Sequence, residues 1–174
     1  MFKLLYMRKF IFHCFFTFLV TLPLTFYAQV ATTKTAVKVS GEVTKQLLLT
    51  KEDLSKMART TAIFKDRDGK DVPYSGVAVQ HILELAGVTM GKQLRGENLA
   101  KYLLIKCSDG YEVVFSLAEL DKGFNDKLVI LADKSNGADL PIDKGPFRII
   151  VQGDKVPARS SFQVTEMIIK FAKD

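Results

Sequence analysis

The apolar positions of this chain change period several times, and each change predicts an element. "AVKVSGEV" alternates apolar and polar and ends at a glycine, the pattern of a short strand beginning at Val37. "LTKEDLSKM" places Thr50 three residues before Asp53, a variant capping box, so a short helix should follow. "ARTTAIFKD" is rich in β-formers, and "DRDGKD" is a turn with Asp68-Gly69 at its tip. In "PYSGVAVQHILELAGV", Val79, Ile82, Leu83 and Ala86 share a helical face, and Gly87 supplies the stop. Ser75 is the expected N-cap of that helix.

The second half is richer in strands. "KYLLIKCSDGYEVVFSL" is two apolar runs joined at Asp109-Gly110, a hairpin signal that predicts a type I′ turn. "SLAEL" reads as one helical turn, "KLVILAD" as a buried strand, and "KSNGADLPIDKG" as a turn-rich loop. "PFRIIVQ" and "EMIIKF" close the chain as strands. Many short strands with a few short helices predict an α+β domain on a mixed sheet. Without regular β-α-β alternation, a dinucleotide-binding fold is disfavoured.

Composition changes the picture at the N-terminus. Lys3, Arg8 and Lys9 precede a long uncharged apolar run, and Ala28 and Ala31 follow it. That is the pattern of an export signal over residues 1–29, with residues 30–36 as a polar lead-in and 37–174 as the domain. The alternative is an uncleaved membrane anchor. The chain is therefore expected to be exported, to the periplasm or outside the cell, with membrane contact only through a retained signal. Those three cations supply half of the formal charge of +6, so the domain itself mixes both signs and lacks the basic face of a nucleic-acid binder.

Beyond residues 1–29 only one cysteine, Cys107, and one histidine, His81, remain. That excludes an internal disulfide and a Cys/His zinc site. Cys107 reads as a small apolar filler, with Lys106 on the opposite strand face. His81 reads as a solvated helix residue. The glycine of "DRDGKD" comes too early for a calcium loop, and no Ser-His-Asp set can be assembled.

The succession of the G-V helix, the "SDGY" hairpin, "LPIDKGPFRIIV" and "VPARSSF" resembles the sulfite-oxidase-type molybdopterin-binding domain, in its small, exported, stand-alone form. The resemblance covers about Val37 to Phe171. It implies a mixed, barrel-like β fold with a few short helices. In the family's full enzymes, a cysteine on the segment before the G-V helix ligates molybdenum, as a soft thiolate suits that metal. The matching segment, "ARTTAIFKDRDGK", has no cysteine. The enzymes also read G-A-R-S-x-K-W near the C-terminus, where Arg, Ser and Lys hold the cofactor's phosphate. This chain keeps Ala158, Arg159 and Ser160 but has Phe162 and Gln163 in place of Lys and Trp.

The resemblance thus implies a cofactor-binding loop of Lys155, Arg159, Ser160 and Ser161, with Arg159 as the main anionic contact. The expected function is a non-catalytic binding module for a pterin-like or other small anionic ligand, or for a partner protein. Molybdopterin is the cofactor by resemblance alone. Two alternatives stand beside it: a molybdenum-cofactor oxidoreductase subunit without cysteine ligation, and a structural domain with a vestigial pocket.

Overall fold

The computed structural model describes residues 35–65 and 68–172. The signal assignment, the lead-in up to Lys34, and Asp66 and Arg67 of the "DRDGKD" turn lie outside the described residues. Among the described residues no helix is long and apolar enough to cross a membrane.

Two five-stranded sheets carry the fold. The first runs β2 (Leu47–Leu49), β1 (Val37–Gly41), β10 (Val164–Phe171), β5 (Lys101–Cys107), β6 (Glu112–Ser116). It is mixed, because β1 pairs parallel to β10 while the other neighbours are antiparallel. The second runs β3 (Arg59–Lys65), β4 (Asp71–Ala78), β7 (Val129–Ser135), β8 (Ala138–Asp139), and β9 (Arg148–Val151) also pairs with β7. The fold class is α+β as the pattern implies, but the sheets stay separate and form no closed barrel.

Among the described residues, three short α-helices punctuate the strands: α1 (Lys51–Lys56), α2 (Val79–Leu85) and α3 (Leu117–Leu120). The capping box at Thr50–Asp53 forms as read, and a second one forms at Ser116–Glu119. Helix α2 buries Val79, Ile82 and Leu83, and Gly87 follows it at φ 70°. Ser75 is not its cap. It lies within β4, and Ala78 holds the cap position without a side-chain bond. Tyr74, Gly76 and Val77 are buried in a ladder to β7, and that pairing outweighs the local helical signal.

The hairpin at Asp109-Gly110 forms, with one change. Only Gly110 takes positive φ, so the turn is not type I′. Gly110 N–H donates to Cys107 O and Cys107 N–H to Tyr111 O, which makes a three-residue loop with glycine in the left-handed position.

Strand parity explains two hydrophobic clusters. On β7 and β9, Val129, Leu131, Ile149 and Val151 face the main core with Phe115, Phe147 and Met167. Ile130, Ala132 and Ile150 face the other way, onto Ala62, Phe64, Tyr74 and Leu140. Arg148 stands two residues before Ile150 on the same strand, so the same alternation turns its side chain toward the smaller cluster.

Candidate functional site

A cavity of about 300 Å³ opens where the β5–β6 hairpin meets the loop between β9 and β10. The hairpin supplies Asp109 and Tyr111, β3 supplies Phe64, β9 supplies Arg148, and the loop supplies Pro157, Ala158 and Ser160 to Phe162. The walls are mostly rings and carbon, with few polar groups, as small-molecule sites usually are.

The backbone fixes this arrangement. Ser161 O accepts from Ile149 N–H at 2.9 Å, and Ser160 Oγ accepts from Val151 N–H at 3.0 Å, so the loop completes the outer edge of β9. Tyr111 Oη donates to Ala158 O at 2.9 Å, and Ser108 N–H donates to Gln163 O at 3.0 Å. The Ser108 hydroxyl also bonds the Gln163 side-chain oxygen. Loop and hairpin are therefore one unit, and Gln163 occupies a positive-φ position at their junction.

Arg148 is the residue that sequence reading passes over. It is 4% exposed. Its guanidinium carbon lies 4.1, 4.6 and 4.9 Å from the ring centres of Phe162, Phe64 and Tyr74. Nη1 donates to Tyr74 Oη at 2.5 Å, and Nη2 reaches Ser160 O at 3.4 Å. The signal was present as a lone cation inside the apolar run "PFRIIV", since a cation at an inward strand position must be paired or stacked.

The four residues expected to hold a cofactor do not converge. Ser160 and Ser161 are buried and line the cavity. Lys155 lies in a neighbouring, larger groove with Lys65, Asp71 and Gln152. Arg159 turns away from the cavity that its neighbours Ala158 and Ser160 line. Its Nε and Nη2 each donate to Asp154 at 2.9 Å, and Nη1 donates to Glu119 Oε2 at 3.1 Å.

Lys127 joins the same cluster, with Nζ 2.8 Å from Asp154 Oδ1. Burial pushes the Asp154 carboxyl up, but the hydrogen bonds and charges of Arg159 and Lys127 together hold it below the ordinary carboxylate range. The bonds from Asp154 in turn push the Arg159 guanidinium up, against burial. A carboxyl depressed by folding contributes stability that is fully present above its unfolded pKa and lost as pH falls through its folded one. We therefore expect Asp154→Asn to be less stable than wild type at neutral pH, and the gap to close below about pH 4. Urea unfolding across an acid series measures it; a gap that persists unchanged into strong acid would refute the role given to Asp154.

Cys107 is 6% exposed at the end of β5. Burial, with a smaller contribution from Asp109, pushes its thiol up, and the Ser161 hydroxyl offsets only part of this. The thiol stays protonated at neutral pH. Ser161 Oγ contacts this weak partner but makes no well-formed hydrogen bond, although the residue is 3% exposed. His81 is half-exposed on α2, with Nδ1 4.0 Å from Glu84. Among the described residues no three His, Cys, Asp or Glu side chains gather as a metal site would require.

Comparison with known proteins agrees with this architecture. No curated protein matches the chain. Among solved structures, the sulfane dehydrogenase SoxCD from Paracoccus pantotrophus superposes with a TM-score of 0.57 at 22% identity, over 80% of this chain. This chain spans 39% of the length of that one, so the likeness is one of fold. The sequence model of the family described as "Oxidoreductase molybdopterin binding domain" matches residues 25–160, well over half of the chain. The chain belongs to the family of oxidoreductase molybdopterin-binding domains.

Proposed function

We propose that this domain is a non-catalytic binding module that holds a small, pterin-like ring in the cavity between the hairpin and the β9–β10 loop. The observation that carries this reading is the lining: Phe64, Tyr111 and Phe162 wall the cavity, and Ser161, whose buried hydroxyl makes no well-formed bond within the protein, lies among them. Flat rings suit aromatic walls. Asp109 and Arg148 add a carboxylate and a guanidinium to the same lining.

The residues present do not fit the thiolate-ligated metal of the family's enzymes. Strands β3 and β4 carry no cysteine, Cys107 is buried with a protonated thiol, and the cavity lining holds neither Cys nor His. The reading therefore has no redox step.

The test is elemental analysis and native mass spectrometry of protein from its native host, with calorimetric titration of unsubstituted pterin. We expect no stoichiometric molybdenum and a saturable pterin heat. Cys107→Ala should lower stability by roughly 1 kcal/mol, as a small core truncation does, and leave pterin binding unchanged. Near-equimolar molybdenum that disappears in Cys107→Ala would overturn the reading, and so would the absence of any pterin heat.

A further inference from the structure

We infer that the Arg159 guanidinium is an anion site that the chain fills with its own carboxylates, so that the ligand of the neighbouring cavity carries no phosphate held by this arginine. The inference rests on the ring-binding reading above for the cavity, but not for the arginine.

The geometry is that of an occupied oxyanion site. Asp154 presents both oxygens to Nε and Nη2 at 2.9 Å, the bidentate pairing that a phosphate would otherwise make. Glu119 Oε2 takes Nη1 at 3.1 Å. The ring of Phe115, which is fully buried, lies 5.1 Å from the guanidinium carbon and closes another side.

Three segments hold the carboxylates in place. Asp154 sits on the same loop as Arg159 and is also gripped by Lys127. Glu119 is fixed twice: Oε1 accepts the Ser116 N–H in the capping box of α3, which leaves Oε2 for the arginine. Both cations are therefore matched by carboxylates, and the cluster closes at zero net charge. It attracts no anion, and an entering phosphate would have to displace two fixed carboxylates and then sit beside them.

The consequence is selectivity. A ring with an anionic tail gains nothing from Arg159 in this chain, whereas a ring without one loses nothing. Asp154 and Glu119 are thus specificity-determining, because they remove a charge contact rather than make one.

Two calorimetric arms test this separately from the ring reading. In the first, inorganic phosphate is titrated at constant ionic strength. Wild type should give no saturable heat in the millimolar range. Asp154→Asn/Glu119→Gln keeps the shapes and the capping box but leaves Lys127 and Arg159 uncompensated, so it should bind phosphate at least about tenfold tighter, the loss of one charge-assisted contact being worth that much. Adding Arg159→Gln should abolish the gain. If the double variant fails to fold, Asp154→Asn alone should show the same gain in smaller degree. Phosphate binding by wild type that Arg159→Gln removes overturns the inference. So does a folded carboxylate variant that binds phosphate no better than wild type.

In the second arm, pterin and a pterin phosphomonoester are compared. Wild type should bind both within about threefold, far less than one charge-assisted contact supplies. A phosphomonoester bound much more tightly, with the preference lost in Arg159→Gln, overturns the inference while leaving the ring reading intact. Failure of both rings to bind removes the ring reading, and the phosphate arm alone then decides whether the arginine is self-occupied.

Discussion

Gly76→Ala should destabilise this domain severely, by about 3 kcal/mol or more. Gly76 lies in β4, which is held between β3 and β7. A β-carbon there would stand 2.1 Å from Leu131 O and 2.6 Å from Ala132 Cα. Both obstructing atoms belong to the backbone of a buried strand, and a methyl group has no rotamer by which to escape. The ladder between β4 and β7, already irregular between Ser75 and Gly76, would have to separate. A domain of this size has about 5–15 kcal/mol to lose, so the variant should be close to unfolding. Gly110→Ala is the control. It has open space around the added carbon but a φ of 85°, so it should cost only the left-handed backbone term, about 1 kcal/mol. Urea midpoints of the two variants rank them; equal midpoints would mean that the close approach of β4 and β7 is not what requires glycine.

That glycine also shows where sequence reading reaches its limit. "YSGVAVQHILELAGV" contains a correct helical face and a correct stop, because Val79, Ile82, Leu83 and Gly87 obey local rules. Its first half is strand because of Leu131 and Ala132, more than fifty residues away, and no local rule carries that information. The capping box at Thr50, the helical turn at Leu117–Leu120 and the Asp109-Gly110 hairpin were legible for the same local reason. Sheet closure was not legible, since whether β6 or β3 meets another strand depends on long-range pairing.

The candidate site divides in the same way. The segment "QGDKVPARSSF" was legible as a loop between two strands, and its Ser160 and Ser161 line the cavity. The direction of Arg159 was not. One of its partners, Asp154, lies five residues away in the same quoted stretch, whereas Glu119 lies forty residues away on a different element. An arginine in a loop reads as a free cation until the carboxylates around it are placed. Asp109 was read as a turn residue. It also lines the cavity, together with Tyr111, because the hairpin tip is bonded to the loop through Tyr111 and Ser108.

Arg148→Ala should lower stability by about 3 kcal/mol and abolish ring binding in the cavity. The side chain is buried between three rings, and a desolvated cation over an aromatic face contributes about 2 kcal/mol. Its bond to Tyr74 Oη, at 2.5 Å, is a charge-assisted contact worth about 1.5–3 kcal/mol, and truncation leaves the buried phenol without that partner. These contributions overlap and do not add in full. The loop should respond as well, because Phe162 loses the cation that its ring covers and Ser160 O loses its contact with Nη2. Looser packing of Ser160 would expose the Val151 N–H that its hydroxyl accepts, so that amide should exchange faster with solvent. Arg148→Lys should recover little, since a compact ammonium neither stacks as a plane between rings nor spans from Tyr74 to Ser160. Arg148→Met keeps most of the volume and removes the charge, so it separates packing from electrostatics: it should fold better than the alanine variant and still fail to bind the ring. Urea unfolding, amide exchange at Val151 and pterin calorimetry on the three variants give the comparison. An alanine variant within about 1 kcal/mol of wild type, with Val151 equally protected, would mean that Arg148 neither supports the loop nor floors the cavity.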